Sequence, residues 1–148
     1  MEPCHWYEYG VVVQPHHTDF AGIVWHGTYI AWMEEARVAA LKACGLTFAD
    51  WLREGVDLPV VDLALRYRKS FALGDEALVK TCLGMTRGVR LVWHYEIQNV
   101  VTQETGLEGK VTLVPVDLKT RRVLRSLPDP LQSALENLRL GPTGCLDC

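Results

Sequence analysis

Two side chains that could take part in acid–base chemistry, Asp19 and His26, lie in a polar loop directly before the longest predicted helix. A carboxylate in such a loop can accept a proton or attack an electrophile, and an imidazole can transfer a proton. The backbone N–H groups at the start of a helix point outward and carry a partial positive charge. We therefore interpret residues 14–45 as an active-site loop that leads into a helix N-terminus.

The same loop residues also have simpler explanations. An aspartate three residues before a glycine commonly forms a turn, and His26 could be a helix cap or a core residue. His16 and His17 are adjacent, so their side chains point in different directions, and no third metal ligand stands at a suitable spacing. We expect no metal site here.

The glutamates and cysteines elsewhere in the chain do not predict a second catalytic site. Glu34 and Glu35 could be acid–base groups on the helix, although solvent-facing partners for basic residues are the simpler interpretation. Cys145 and Cys148 have a redox spacing but lie at the C-terminal end, outside a strand–helix–strand context. The five cysteines are odd in number and scattered, which predicts neither a disulfide nor a zinc framework. The absence of a GxSxG motif removes the α/β-hydrolase route to ester cleavage.

Composition and charge restrict the class of protein. The chain has 148 residues, of which 49% are hydrophobic, enough for one compact domain with a core. The formal net charge of −3 and the lack of a basic run argue against nucleic-acid binding. No apolar run is long enough to span a membrane, and the N-terminal segment does not resemble a secretion signal. We expect a reduced, cytoplasmic protein.

The elements that must position the loop are a strand before it and a helix after it. Aromatic and β-branched residues predict a strand over 6–13, which Pro15 ends. Apolar residues at spacings of three and four predict a helix over Thr28–Cys44, ended by Gly45. The expected buried face of that helix is Tyr29, Trp32, Met33, Ala36, Ala40 and Ala43.

The second half of the chain is predicted to be mostly strands. Thr47 and Asp50 form a capping-box pattern for a short helix over Phe48–Glu54. A last short helix is capped by Asp129. Strands that follow one another without helices are most simply antiparallel, which predicts an α+β fold with the long helix against one sheet face. The strands are predicted at 58–68, 77–85, 89–99, 107–117 and 121–124.

One domain over residues 1–148 accounts for this pattern, with a core at about residues 6–138 and a mobile tail at 139–148. The predicted strand at 58–68 alternates, so one of its faces is expected to be buried. That face carries Val61, Leu63, Leu65 and Tyr67.

The run HHTDFAGIVWHGTYIAWMEEAR resembles the signature of hotdog-fold acyl-CoA thioesterases, in the 4-hydroxybenzoyl-CoA thioesterase-like group with its YbgC-type enzymes. Gly27 stands where that family often has alanine, proline or another small residue. A second stretch, VVDLALRYRKSFALGDEALVKT with Asp75 at its turn, is also similar to the family. The resemblance covers roughly residues 6–135 and implies an antiparallel sheet of about five strands wrapped on one long central helix. The matching loop and helix positions are Asp19, Ala21, Gly22, Ile23, Val24, Trp25, His26, Tyr29, Glu35, Ala36 and Arg37.

The resemblance implies hydrolysis of an acyl-CoA to free acid and CoA, without a metal or redox cofactor. Asp19 matches the family's catalytic carboxylate, which acts either as a general base or as a nucleophile through a mixed anhydride. The backbone N–H of His26, with Gly27 and Thr28 beside it, is the implied oxyanion site. The His26 imidazole could also orient Asp19 or the attacking water. Gly22 and Gly27 would allow the substrate to approach the backbone closely.

The resemblance also implies partners. The acyl pocket of this fold lies at a subunit interface, so a homodimer or homotetramer is expected, with acyl-CoA or an acyl carrier protein as the acyl donor. Trp25, Trp32, Phe48 and Trp51 are compatible with an aromatic or medium-length acyl group, although tryptophans also serve as core residues. The phosphates of CoA require basic residues at the pocket mouth. The candidates are Arg66, Arg68, Lys69, Arg87 and Arg90.

Two other functions stay open at this point. A hotdog hydratase or dehydratase would need a histidine paired with an acid for proton transfer to carbon. A non-catalytic domain could bind acyl-CoA or acyl carrier protein without turnover. Within the thioesterases, another hotdog branch carries its carboxylate on the helix, which makes Glu35 the alternative catalytic residue.

Overall fold

The computed structural model describes residues 4–84 and 88–141. The helices are α1 (Thr28–Ala43), α2 (Phe48–Arg53) and α3 (Asp129–Leu140). The strands are β1 (Tyr7–Val12), β2 (Val56–Asp57), β3 (Val60–Tyr67), β4 (Glu76–Leu83), β5 (Leu91–Asn99), β6 (Thr105–Leu113) and β7 (Val116–Asp117). In this described part of the chain, no helix is long and apolar enough to cross a membrane. The predicted order of first strand, long helix, short helix, successive strands and last helix is confirmed. The strand predicted at 121–124 is wrong, because Val123 there forms only an isolated bridge to Val116.

The main sheet has five antiparallel strands in the order β1-β4-β5-β6-β3, with β1 and β3 at its edges. β2 and β7 form a separate antiparallel pair. Strand β5 alternates regularly, because successive side chains point to opposite faces, and its inward residues are fully buried. These residues are Leu91, Trp93, Tyr95 and Ile97. The predicted α+β fold class is confirmed.

Helix α1 lies across one face of the sheet and forms much of the core. Its buried residues are bulky in the first turns and become alanine further along, which lets the helix approach β1 and β4 closely. Five of the six predicted face residues are buried, namely Tyr29, Trp32, Met33, Ala36 and Ala40, whereas Ala43 is exposed. Gly45, with φ +78°, follows the helix end as predicted.

The apolar row of β3 is the largest difference from the predicted fold. Val61, Leu63 and Tyr67 were expected to be buried but are 50%, 39% and 49% exposed. The reason is position in the sheet: β3 is an edge strand, whereas α1 packs mainly against β1 and β4 at the opposite edge. The prediction of a buried face is therefore wrong within one chain.

The two short helices match the prediction in different degrees. Thr47 and Asp50 form the predicted capping box of α2, in which each side chain bonds the backbone N–H of the other. Asp129 is not the cap of α3, since it lies in the first turn after Pro128. α3 also continues to Leu140, so Arg139 and Leu140 belong to a helix rather than to the predicted tail. The rest of that tail, apart from Gly141, lies outside the described residues.

A disulfide bond joins Cys4 to Cys82, which corrects the prediction that no cysteines are paired. The pairing follows from the sheet register, because Tyr7 lies opposite Thr81 and the chain before β1 therefore passes the end of β4. This proximity depends on a sequence separation of 78 residues, so cysteine spacing alone could not indicate it. Cys44 is a free thiol, and Cys145 and Cys148 lie outside the described residues.

Candidate active site

The loop that carries Asp19 is a tight, hydrogen-bonded turn. The N–H of Asp19 donates to the Ile23 carbonyl at 2.8 Å, and the N–H of Gly22 donates to the Asp19 carbonyl at 3.0 Å. Gly22 has φ +79°, a conformation that residues with a side chain rarely adopt. The predicted need for glycine at position 22 therefore has a conformational reason in the turn itself.

The turn also fixes the Asp19 carboxylate. Its Oδ1 accepts from the N–H of Ala21 at 2.9 Å and from the N–H of Ile23 at 3.2 Å. No hydrogen bond from the described residues reaches Oδ2, and the side chain is exposed. Because one oxygen is anchored and the other is open, the carboxylate has a defined direction in which to accept a proton or attack carbon.

Two parts of the chain hold this loop in place. The segment after β3 binds it through backbone bonds, from the Val24 N–H to the Phe71 carbonyl and from the Leu73 N–H to the Gly22 carbonyl, both 2.9 Å. The His17 carbonyl accepts from the N–H of Trp25 at 3.0 Å and from the Thr28 hydroxyl at 3.0 Å. The loop is therefore fixed to the sheet and to the start of α1 at once.

The start of α1 offers unbonded donors. Among the described residues, no backbone hydrogen bond uses the N–H of His26 or of Gly27, whereas the N–H of Thr28 donates to the Trp25 carbonyl at 2.9 Å. Both donors of Thr28 are thus engaged inside the loop, and its place in the oxyanion site stays a prediction that these two bonds do not support. Thr28 holds the loop, and His26 and Gly27 keep the free N–H groups.

Gly27 has a steric role that the sequence did not reveal. The indole ring of Trp25 lies directly against it, and three ring atoms stand where a Cβ would be. Its φ of −80° is ordinary, so the requirement is for space and not for an unusual backbone conformation. Glycine at this position keeps the Trp25 ring packed against the helix start.

The His26 imidazole does not contact Asp19 by a hydrogen bond within the described residues. Its ring packs on Trp25, with centroids 4.7 Å apart, and the side chain is exposed. The structure therefore brings the His26 backbone to the site but gives its imidazole no link to the carboxylate.

Exposed apolar side chains surround the loop. Phe20, next to Asp19, is fully exposed, and Trp25 and Leu73 are about half exposed, at 53% and 52%. Phe20 was missed in the sequence, although an aromatic residue adjacent to the candidate carboxylate was a usable signal. Trp32, by contrast, is 1% exposed and belongs to the core. The side chains around Asp19 can thus contact an apolar group.

The candidate CoA-binding residues divide between the two ends of the sheet. Arg66, Arg68 and Lys69 lie at the end of β3 that is near the Asp19 loop, and Arg68 and Lys69 pair with Glu108 and Glu104. Ala77 pairs with Asn99 at that end and Leu83 with Trp93 at the other, about 20 Å away by strand rise.

Arg90 precedes β5 at that other end. Arg90 is therefore separated from Arg66, Arg68 and Lys69 within one chain, and its contact with CoA stays a prediction. Arg87 lies outside the described residues.

The remaining polar candidates have structural partners. The Nδ1 of His17 accepts from the Gln14 N–H at 2.9 Å, and burial, followed by the charge of His16, lowers the pKa of His17. An oxygen of Glu35 accepts from the Tyr9 hydroxyl at 3.3 Å. The described residues contain no cluster of three or more His, Cys, Asp or Glu side chains suited to a metal ion.

A cavity of about 190 Å³ lies at the other end of α1, between that helix, α2 and the sheet. Its walls include the buried residues Trp51, Trp93 and Leu135, and Glu34 and Lys42 lie on its rim. The Trp51 indole N–H has no hydrogen-bond partner among the described residues. The chain therefore has a polar loop at one end of α1 and an apolar cavity at the other.

Comparison with known proteins gives consistent results. Residues 13–135 match the family model described as the thioesterase-like superfamily. The chain is 46% identical over 134 residues to the Synechocystis protein sll0410, named provisionally as an esterase, covering 90% of this chain and 81% of that protein. It is 30% identical over 115 residues to the acyl-CoA thioester hydrolase YbgC of Escherichia coli O6:H1, covering 74% and 84%.

Among solved structures, the fold is similar to the DHNA-CoA thioesterase of Staphylococcus aureus. The TM-score is 0.80 and the sequence identity is 28%, with 88% of this chain and 89% of that chain covered. The family match over residues 13–135 includes the Asp19 loop, α1 and strands β2 to β7.

Proposed function

The chain belongs to the thioesterase-like superfamily and has its hotdog fold, and from this premise we propose that it hydrolyses acyl-CoA to free acid and CoA. One observation carries the proposal: the Asp19 carboxylate has one anchored oxygen and one that no described residue bonds, in the turn that leads to two N–H groups at the start of α1 left unbonded by the same residues. The E. coli and S. aureus relatives, both named as CoA thioesterases, support the same chemistry.

Two routes are open to the unbonded oxygen of Asp19. In the first, it takes a proton from a water molecule while that water attacks the thioester carbon. In the second, the Asp19 oxygen attacks the thioester carbon directly. The first route gives a tetrahedral intermediate that collapses with cleavage of the C–S bond, and the thiolate of CoA then takes up a proton. The second breaks the C–S bond in the same way and releases the thiolate of CoA, which takes up a proton, and it leaves a mixed anhydride that water hydrolyses. In both, the N–H of His26 binds the carbonyl oxygen as it gains negative charge, a contact typically worth ~10²–10³ in rate.

The two routes can be separated by isotope labelling. In a reaction in H₂¹⁸O with enzyme in excess, only the anhydride route can transfer label into the Asp19 carboxylate. Label in the peptide that contains Asp19, detected by mass spectrometry, therefore identifies a nucleophile whose anhydride is hydrolysed at the Asp19 carbonyl carbon. Attack of water on the acyl carbon of the anhydride would place ¹⁸O in the product acid, as in the general-base route.

We further propose that the acyl group is bound between two copies of the chain. The lining of the apolar cavity begins at Glu34, six residues after the start of α1, or about 9 Å by helix rise. No residue of the Asp19 loop lines this cavity. The exposed apolar edge of β3 supports a homodimer or homotetramer, because an unpaired strand edge readily binds another strand.

Arg66, Arg68 and Lys69 are the candidates for the CoA phosphates on the grounds of position. Arg66 has no ion pair among the described residues, whereas Arg68 and Lys69 would exchange exposed carboxylate partners for phosphate. Exposed ion pairs are weak, so this exchange would cost little. An acyl carrier protein as the acyl donor would not require these three residues in the same way.

The test is thiol release by the wild-type protein from a panel of acyl-CoAs, from acetyl to long-chain and aromatic groups. We expect turnover that clearly exceeds spontaneous hydrolysis for at least one member. Negligible release from every CoA ester and from matched acyl carrier protein thioesters, with binding still measurable by calorimetry, would contradict the proposal and indicate a non-catalytic binding domain.

A further inference from the structure

Tyr67 is a side chain of the main sheet that contacts the backbone of the helix start. Its hydroxyl donates a hydrogen bond of 2.7 Å to the carbonyl oxygen of His26. Tyr67 lies near the end of the edge strand β3, 41 residues from His26 in the sequence. Within the described residues, that carbonyl accepts no backbone hydrogen bond, so Tyr67 is its partner.

The position of the bond matters because of the geometry of a peptide unit. The carbonyl of His26 and the N–H of Gly27 belong to the same planar group and point in opposite directions. A donor held on the oxygen therefore fixes the plane and sets the direction of the Gly27 N–H. It also withdraws electrons through the amide, which strengthens that N–H as a donor, since linked hydrogen bonds polarise one another.

The ring of Tyr67 is supported from behind. It packs edge-on against Tyr29, with centroids 5.7 Å apart, and Tyr29 in turn contacts Phe71 at 6.0 Å. Tyr29 is buried, and its hydroxyl accepts from the Phe71 N–H at 3.4 Å. The phenol that bonds His26 is therefore held by the segment that also binds the Asp19 loop.

We propose that Tyr67 is a positioning residue for the reaction: by bonding the His26 carbonyl, it orients and polarises the Gly27 N–H as a second donor to the oxyanion. The inference rests on the proposed function, because it assigns Tyr67 to the same site. Tyr67 acts through the peptide and does not itself need to touch the substrate. The unbonded N–H of Gly27 and the steric demand of Trp25 on Gly27 agree with a peptide held in one orientation.

The kinetic test is Tyr67→Phe, which keeps the ring against Tyr29 and removes only the hydroxyl. We expect kcat to fall about tenfold, since losing a whole oxyanion donor costs ~10²–10³ and here the donor is only weakened. KM should change by less than about twofold, as for an interaction made mainly in the transition state. A rise in KM at unchanged kcat, or no change in either, would overturn the proposal.

The matched control is Tyr7→Phe. The Tyr7 hydroxyl also donates to a backbone carbonyl, that of Leu138, at 3.0 Å, but this contact lies away from the loop. Tyr7→Phe should leave kcat and KM unchanged even where it lowers the melting temperature. An equal loss of kcat in Tyr7→Phe would show that any lost tyrosine bond reduces turnover, and it would contradict a specific role for Tyr67.

A spectroscopic measurement separates this inference from the proposed function. Since the bond is made to the Gly27 peptide, the ¹⁵N and ¹H amide resonances of Gly27 should move in Tyr67→Phe and stay in place in Tyr7→Phe. This readout needs no substrate. If wild-type protein hydrolyses no acyl-CoA but the Gly27 resonance moves, the proposed function fails and the contact stands; an unmoved resonance refutes the role of Tyr67 whatever the activity.

Discussion

The two ends of helix α1 differ in hydrogen bonding and in burial. At its N-terminal end, the N–H groups of His26 and Gly27 have no hydrogen-bond acceptor in the described part of the chain, and the preceding turn is held by backbone hydrogen bonds and largely exposed. At its C-terminal end, Gly45 ends the helix, Thr47 and Asp50 cap the next one, and buried apolar side chains line a cavity. The N–H groups at the N-terminal end can stabilise negative charge that develops on a substrate oxygen. The C-terminal end, where backbone groups are hydrogen-bonded and side chains are apolar, contributes to packing.

One helix therefore contributes to both stability and catalysis through different parts of its length. The helix start carries the N-terminal partial charge of α1 and has no acidic residue in its first turn to neutralise it. The alanine-rich part of α1 then fixes the helix against β1 and β4. Changes at the N-terminal end should therefore affect turnover more than stability, and changes further along the helix should do the reverse.

The largest effect among the variants that probe this contrast is expected for Gly27→Ala. The new methyl group would overlap the Trp25 ring, so the indole or the helix start must move, and kcat should fall by ~10–10² as an oxyanion donor is displaced. Steady-state thiol release and thermal unfolding would measure both consequences. Gly10→Ala is the control, because its Cβ would meet nothing within 4 Å.

A double variant tests whether the clash with Trp25 causes the loss of kcat in Gly27→Ala. If the clash with Trp25 is the cause, Trp25→Ala combined with Gly27→Ala should recover most of the lost kcat relative to Trp25→Ala alone. Continued loss in the double variant would mean that Gly27 matters for another reason.

Further along the helix, Ala40→Leu should change stability instead. Ala40 is 1% exposed against the sheet, and overpacking of this kind typically costs ~1–3 kcal/mol. Chemical denaturation should show a lower midpoint, while kcat per folded molecule stays close to wild type. Ala49→Leu, at an exposed position of α2, should leave both unchanged.

A smaller effect on stability is expected from the cap of α2. Thr47→Ala removes the side-chain acceptor for the Asp50 N–H, and loss of such a cap costs about 1 kcal/mol. Thr47→Ser keeps the hydroxyl and should remain near wild type. A fall in kcat for Thr47→Ala without a change in unfolding would contradict the separation between the two ends.

The smallest effect concerns pH and His17. Burial, and then the charge of His16, lowers the pKa of His17, although Glu35 opposes this. The fold therefore favours the neutral ring, whose Nδ1 accepts from Gln14. This stabilisation is complete above the ordinary histidine pKa of about 6.5. It is lost as the pH falls through the lower pKa of the folded state.

The free energy of unfolding, measured from pH 7.5 to 5, should fall as the pH falls in the wild type. It should depend less steeply on pH in His17→Gln. His94, whose pKa is also lowered by burial and by Lys110, supplies a separate contribution from the sheet. His94→Gln should alter the unfolding curve while the pH dependence of turnover is unchanged.

What the sequence predicted well was local. The turn at Asp19 and Gly22, the face of α1 and the capping box at Thr47 each depend on residues a few positions apart, where spacing has a direct geometric meaning. Fold class followed from strands that succeed one another without helices.

What the sequence did not predict depends on distant contacts. The hydrogen bond from Tyr67 to His26 and the Cys4–Cys82 disulfide require the strand register, with separations of 41 and 78 residues. The exposed row of β3 was missed because alternation predicts an apolar face but not what covers it. The position of Arg90 could not be predicted for a similar reason, since basic residue type does not reveal which end of the sheet a residue occupies.

The most direct measurement for the whole account is kcat for Asp19→Asn on the best substrate of the wild-type protein. The amide oxygen of asparagine can still accept from Ala21 and Ile23, so the turn should be preserved while the basic or nucleophilic carboxylate is lost. The account predicts a fall in kcat of ~10²–10⁴ with an unchanged melting temperature. Wild-type turnover in Asp19→Asn would contradict it.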